Sequence, residues 1–304
     1  MSQKYLTKIF NEAKEHIPDV VRDVEPLGHG HFGLVVDHGD NTLTKIYFQP
    51  PEEKGGRYAV EGTLFNEVNA LHCFGQNQPE GFEIPKLLSE PEFHDHEKYL
   101  ASFRMTKVPG IPAYKYWEHF QHNSEEINKL HENMGRALAA FHRVALNSSF
   151  GGLDAWTDYG DEVKNIPYLK PDTNKALSKV NDFLQINRKA GVVHGDFHTG
   201  NIMVNKAGQV TGILDWSMAG MVRNQFVDMV GGVFPGFDGP FIRGYEAESG
   251  EKIDRTVLKA TELAIWTSYF PRGDQEAHVG HESQIVEGIN EYLNDLLPVT
   301  GYKP

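Results

Sequence analysis

The sequence predicts an α+β fold of two lobes, a β-rich N-terminal lobe followed by a mainly helical C-terminal lobe, and three observations carry that prediction. Short apolar runs with strand character, separated by glycine-containing turns, dominate the stretch from Leu27 to Phe48. Beyond Lys107-Val108-Pro109-Gly110 the apolar residues recur at helical spacing instead. Between the helices, Ile202-Met203-Val204 and Val210-Thr211-Gly212-Ile213-Leu214 flank Asn205-Lys206-Ala207-Gly208, which reads as a hairpin with a glycine in its turn. The division that follows is an N-terminal lobe over residues 1–106, a hinge at 107–110 and a C-terminal lobe over 111–304.

A chain of 304 residues is long enough to bury two such lobes. Cys73 is its only cysteine, so no intramolecular disulfide can form, and its apolar neighbours suit a core position better than a reactive thiol. The net charge of −13 argues against binding nucleic acid through its phosphates and is compatible with a cationic substrate. No apolar run reaches the length of about 20 needed to span a bilayer, and the first residues carry no signal-peptide core. The expectation is a cytoplasmic protein with no membrane and no nucleic-acid partner, and nothing in the sequence points to an obligate protein partner.

In chain order, Tyr5, Leu6, Ile9, Phe10, Ala13 and Ile17 mark one face of a leading helix. Next, Leu27-Gly28-His29-Gly30-His31-Phe32-Gly33-Leu34-Val35-Val36 and Leu43-Thr44-Lys45-Ile46-Tyr47-Phe48 read as strand, glycine turn, strand, turn and strand. A dinucleotide-binding glycine loop opens a helix, whereas this one runs into β-branched residues. It fits either a flap over a triphosphate, with Gly28, Gly30 and Gly33 close to phosphate oxygens and Lys45 neutralising their charge, or an ordinary glycine-rich turn with a solvated lysine. Val60, Leu64, Val68 and Leu71 predict a helix over 58–74, with Gly75 as its C-cap. Glu61 and Glu67 border that face, and Glu67, deeper in the apolar pattern, is the better partner for Lys45. Two further strands are predicted at 82–88 and 99–105.

In the second lobe, Asn123-Ser124-Glu125-Glu126 reads as an N-cap and capping box before a long amphipathic helix through Val144. Residues 148–172 read as a loop, and further helices are predicted over about 173–189, 225–234, 239–248, 254–270 and 283–297. The acids Asp238, Glu246, Glu248, Asp274, Glu276 and Glu282 fall in this helical part, where they suit a solvated surface better than a site for a cation.

The chemistry gathers at one end of the hairpin. His194, Asp196 and Asn201 precede its first strand and Asp215 follows its second. In the spacing Asp-x-x-x-x-Asn, a loop lets the aspartate take the proton of a substrate hydroxyl. The amide oxygen and the later carboxylate can then hold magnesium ions on phosphates. His194, Asp196 and His198 also offer three ligands to a transition metal, as in a metallohydrolase, although that reading leaves the glycine loop, Lys45 and Asp215 unexplained.

The stretch His194-Gly195-Asp196-Phe197-His198-Thr199-Gly200-Asn201, with Ile213-Leu214-Asp215-Trp216, resembles the aminoglycoside phosphotransferase and choline kinase family. That resemblance implies a two-lobed, protein-kinase-like fold and an Mg2+-dependent kinase of small-molecule hydroxyls using ATP, with GTP left open. The acceptor class is an aminoglycoside or related antibiotic, or a choline, homoserine or sugar-type metabolite. It also implies Asp196 as catalytic base braced by His194, and Asn201 and Asp215 as metal ligands. Gly28, Gly30 and Gly33 would cover the phosphates, Lys45 would contact them with Glu67 as its anchor, and Met105, Thr106, Lys107 and Val108 would form the hinge beside adenine. Asp228 would buttress the catalytic loop. The glycine loop is closer to that of protein kinases than to the looser turn of the aminoglycoside enzymes. Against a protein substrate, Gly195 stands where such kinases carry an arginine, and no Ala-Pro-Glu follows Asp215.

Overall fold

The structure, a computed structural model, describes residues 3–30, 33–49, 56–94, 98–146, 150, 162–166, 169–230, 239–269, 282–296 and 298. An antiparallel five-stranded sheet in the order β1-β2-β3-β5-β4 forms the N-terminal lobe, from β1 (Glu25–His29), β2 (Gly33–Asp37), β3 (Thr42–Phe48), β4 (Glu92–Phe93) and β5 (Tyr99–Thr106). Alternation along β3 sends its side chains to two different layers. Ile46 and Phe48 meet α1 (Gln3–His16), whose Leu6, Ile9, Phe10 and Ala13, together with Val21 of the one-turn α2 (Pro18–Val21), close the outer face with Leu34, Val36 and Tyr99. Leu43 and Tyr47 face the other way, onto Val60, Leu64, Val68 and Leu71 of α3 (Gly56–Gln76).

The second lobe is helical, as the spacing predicts. It contains α4 (Ala113–Phe120), α5 (Ser124–Leu146), α6 (Pro171–Asn187), α7 (Val227–Val230), α8 (Pro240–Ser249), α9 (Arg255–Tyr269) and α10 (Glu282–Leu296). The expected acids Asp238, Asp274 and Glu276, like His31 and Phe32 of the glycine loop, lie outside the described residues, as does the side chain of Glu282. Helices α5 and α8 pack backbone to backbone, because Gly135 faces the carbonyl of Phe241 and Gly244 that of Glu132, where a Cβ would collide. Asn123 caps α5 by accepting the N–H groups of Glu125 and Glu126 at 3.1 and 3.3 Å, while Glu126 accepts the Tyr116 hydroxyl at 2.6 Å instead of closing a capping box. The hairpin forms as read, from β8 (Ile202–Val204) and β9 (Val210–Ile213), and β6 (Ile111–Pro112) adds a third strand to it. A second small ladder pairs β7 (Gly191–Val193) with β10 (Gly220–Val222), which brackets the central stretch from both sides.

Two further expectations are corrected. The strand over 82–88 is absent except for bridges at Glu83 and Leu87, because Pro85 has no N–H and Gln78 satisfies Ile84 in both directions through its side-chain amide, at 2.7 and 2.9 Å. Gly75 lies inside α3, its Cα turned against the backbone of Pro85 and Lys86. The helix end is closed by Asn77 and Gln78, which donate to the carbonyls of Cys73 and Gly75. The lobes share one core. Phe74 of α3 packs its ring 5.3 Å from both Phe141 of α5 and Trp216, and 5.1 Å from Phe150.

Candidate active site

Folding of the hairpin brings both ends of the central stretch together. Ile202 pairs with Ile213, and the Leu214 N–H donates to the Asn201 carbonyl at 2.7 Å, so Asn201 and Asp215 emerge side by side. Asp215 then adopts a left-handed conformation, φ 58° and ψ 75°, before a short 3-10 turn over Trp216–Met218. A left-handed aspartate is an uncommon, mildly strained choice, and the reversal turns its carboxylate toward the N-terminal lobe.

There it meets β3. Lys45 Nζ lies 2.9 Å from Asp215 Oδ1 and 2.7 Å from Glu67 Oε2 of α3, and the Tyr47 hydroxyl donates to the same Glu67 oxygen at 2.5 Å. Burial opposes the Lys45 ammonium, but the charges of Asp215 and Glu67 overcome it and hold the lysine protonated, its pKa raised above the usual value. Burial likewise opposes ionisation of Asp215, yet Lys45 holds that carboxyl down at about 2. Glu67, almost fully enclosed, is pushed up by burial against the pull of Lys45. The structure thus brings Lys45 to Glu67 and leaves Glu61 out of the contact. Gly30 lies above this group: a Cβ built on it would stand 4.0 Å from Asp215 Oδ2, and its N–H closes the loop onto the Gly33 carbonyl at 2.7 Å. Gly28 sits on β1 opposite Val35.

The other half of the site is the loop itself. His194 is fully buried and both its ring nitrogens are engaged: Nδ1 accepts the Asp196 N–H at 3.2 Å and Nε2 donates to the Leu214 carbonyl at 2.9 Å. Neither nitrogen is available to a metal, which removes the transition-metal reading of this triplet. Burial lowers the His194 pKa, in keeping with a neutral ring that ties the loop to the hairpin. Gly195 has φ +81° and faces the Met218 carbonyl so closely that any side chain there would collide. An arginine cannot stand in its place. Asp228, at the start of α7, accepts the N–H groups of His194 and Gly195 at 2.7 and 2.8 Å. Asp196 is about half exposed, and Asn201 donates from Nδ2 to its carbonyl at 3.0 Å and its Oδ2 at 2.9 Å. Burial works against the Asp196 carboxylate, but the hydrogen bond from His198 keeps its pKa below the usual value.

Magnesium fits the donors present. With Nδ2 of Asn201 committed to Asp196, its amide oxygen is the end left to ligate, and Asp215 keeps Oδ2 on the glycine-loop side while Lys45 holds Oδ1. One amide and one carboxylate oxygen are hard donors of the kind that hold Mg2+ jointly with phosphate oxygens and water.

The hinge segment is more committed than the sequence suggests. Met105 and Val108 are buried; the Thr106 N–H donates to the Lys86 carbonyl at 3.0 Å, and the Lys107 N–H to the Asn41 carbonyl at 2.8 Å. Three contributors carry no motif in the sequence. Tyr47 shares a β3 face with Lys45, and buried His142 of α5 links the Tyr245 hydroxyl of α8 (3.0 Å) to Asp228 (3.3 Å). The only signals available were the i, i+2 spacing for Tyr47 and a lone histidine on the apolar face of α5.

The model of the phosphotransferase enzyme family matches residues 54–223, more than half of the chain. No curated protein matches it. Among solved structures, the GDP and kanamycin complex of APH(2")-IIia is 16% identical with a TM-score of 0.59, over 95% of this chain and 99% of that one. The gentamicin complex of APH(2")-IIa is 13% identical with a TM-score of 0.54, over 94% and 95%. A microcompartment-associated aminopropanol kinase is 14% identical with a TM-score of 0.54, over 98% and 99%. At such identities the likeness speaks for the fold, a two-lobed kinase-like one.

Proposed function

We propose, from the premise that this chain belongs to the phosphotransferase enzyme family and is a small-molecule phosphotransferase, that it moves the γ-phosphoryl group of ATP, with Mg2+, to the hydroxyl of an amine-bearing alcohol. The observation that carries this reading is the convergence of Lys45, Glu67 and Asp215 beneath Gly30, beside a loop that presents Asp196 and Asn201. Lys45 neutralises phosphate charge and Glu67 keeps its ammonium in place, while Gly28, Gly30 and Gly33 allow the backbone close to the phosphates. Asn201 and Asp215 hold the metal, which supplies positive charge to the phosphate oxygens. Asp196 takes the proton as the acceptor oxygen bonds to the γ-phosphorus and the bond to the β,γ-bridging oxygen breaks, releasing ADP. His194 and Asp228 hold the loop from behind.

The lobe boundary at 107–110 is supported by opposed bonds. Lys107 reaches Asn41 and Asp37 in the N-terminal lobe, whereas the Pro109 carbonyl accepts the Thr211 hydroxyl of the hairpin. With the Thr106 and Lys107 amides committed, adenine contacts in this segment fall to carbonyl groups and to Val108. Gly195, closed to an arginine, and the direct passage from Asp215 through β10 to Asp228 favour a small acceptor over a protein. The net charge of −13 favours a cationic one. Glu246 and Glu248 do not supply the cation site, since they pair with Arg255 and Lys252, and with Arg143. The test is an ADP-release screen with aminoglycosides, macrolides, choline, homoserine, sugars and small amino alcohols, run against Asp196→Ala. Release stimulated by an amine-bearing alcohol supports the reading, and stimulation by sugars alone or by no acceptor overturns it.

A further inference from the structure

The loop between Asp196 and Asn201 contains a histidine in contact with the base. His198 Nε2 lies 3.3 Å from Asp196 Oδ2, and its Nδ1 accepts the backbone N–H of Gly200 at 2.9 Å. Because Nδ1 is occupied as an acceptor, Nε2 carries the hydrogen of the neutral ring and donates it to Asp196. Asn201 Nδ2 donates to the same Oδ2 at 2.9 Å and lies 3.3 Å from His198 Nε2, so two donors converge on one carboxylate oxygen. Gly200 is part of the same device. A Cβ there would stand 2.6 Å from His198 Cε1 and 2.9 Å from Nδ1, so the ring is seated directly against the glycine backbone. The ring is also 40% exposed, which means that removing it opens no core cavity.

Resting on the reading of Asp196 as base, we propose that His198 is a positioning residue that fixes which oxygen of Asp196 does the work. With Oδ2 held by His198 and Asn201, rotation of the carboxylate is stopped and its lone pairs there are engaged. Oδ1 is the oxygen left to take the acceptor's proton. His198 does not carry that proton onward, since its Nδ1 is tied to Gly200 and its Nε2 already bears a hydrogen. The proton stays on Asp196 until the products leave. Gly200 sets the tautomer, His198 the carboxylate and the carboxylate the direction of proton transfer.

The experiment uses hydrolysis of MgATP by water, which requires the base but no identified acceptor, followed by ADP release, with thermal melting to confirm folding. His198→Ala and Gly200→Ala are each expected to lower kcat by about tenfold with the KM for MgATP within about twofold of wild type. His198→Gln, whose Nε2–H reaches the same oxygen, is expected to recover kcat to within about threefold. A His198→Ala enzyme within about twofold of wild type, or a glutamine variant no better than alanine, overturns the proposal. So does a rise in KM that accounts for the whole loss, because that marks a nucleotide-binding role. Asp196→Ala hydrolysing at the wild-type rate instead removes the base reading on which the proposal stands. A readout independent of turnover is the 15N shifts of the His198 ring in the full chain: the Nε2–H tautomer is expected, and the Nδ1–H tautomer overturns the assignment.

Discussion

Two polar clusters meet at one end of the β8–β9 hairpin, and they are built in opposite ways. Lys45, Glu67 and Asp215 come from β3, α3 and the segment after β9, and Lys45 and Glu67 are buried. Asp196, His198 and Asn201 come from one short loop, and the side chains of Asp196 and His198 are 45% and 40% exposed. The first cluster exists only when the lobes are packed together, because its members are held by Tyr47, by the shared aromatic core and by the reversal at Asp215. The second is closed by bonds among near neighbours, with His194 and Asp228 as outside support. The difference assigns a sensitivity to each. On the roles proposed above, changes in lobe packing are expected to reach nucleotide binding first, and changes in the loop to reach proton transfer first.

The comparison breaks most visibly at the loop. Asp196→Ala is expected to lower phosphoryl transfer by about a thousandfold or more while ATP still binds with wild-type affinity, measured by ADP release and calorimetry. Turnover retained by that variant takes Asp196 out of the base role. At the other cluster, Asp215→Asn keeps a residue that tolerates left-handed backbone and so isolates the charge. Its expected effect is about a hundredfold loss of nucleotide affinity in the presence of magnesium, and an unchanged titration removes the ligand assignment. Glu67→Gln leaves Lys45 one carboxylate and should weaken nucleotide binding by about five- to tenfold, with Tyr47→Phe costing less than that.

The smallest effect belongs to a cluster outside the site, which sharpens the contrast by leaving catalysis alone. The hydrogen bond from Arg255, aided by Lys252 and the Ile253 N–H against the effect of burial, holds Glu246 at about 2. A carboxyl lowered on folding contributes stability that is fully present above its ordinary pKa of 4.5 and is lost as pH falls toward about 2. Glu246→Gln should therefore lower Tm by about 2–4 °C at neutral pH, and the gap to wild type should shrink as pH falls from about 4.5 toward about 2. A gap that stays constant over that range means that the ion pairs are not its source.

What the sequence made legible was whatever depends on neighbours along the chain. The hairpin, the strand bearing Lys45, the amphipathic helix α5 and the gathering of Asn201 and Asp215 all follow from spacing and turn chemistry. Glu67 could be preferred to Glu61 because depth in an apolar stripe is itself a sequence property. Tyr47, His142 and Tyr245 were not legible, since each acts through a partner brought close only by packing. The false strand at 82–88 has the same origin: its apolar pattern was real, but the Gln78 side chain and Pro85 took the place of a ladder.

Trp216 adjoins Asp215 and is fully enclosed, its ring 4.7 Å from His194 and 4.9 Å from Phe141. Trp117 and Trp266 are 43% and 49% exposed, within reach of a soluble quencher such as acrylamide. In a Trp156→Phe background, quencher therefore strips away the emission of the outer indoles and leaves that of a fluorophore sealed between the lobes. The protein carries its own optical gauge of the joint on which Lys45 and Asp215 depend.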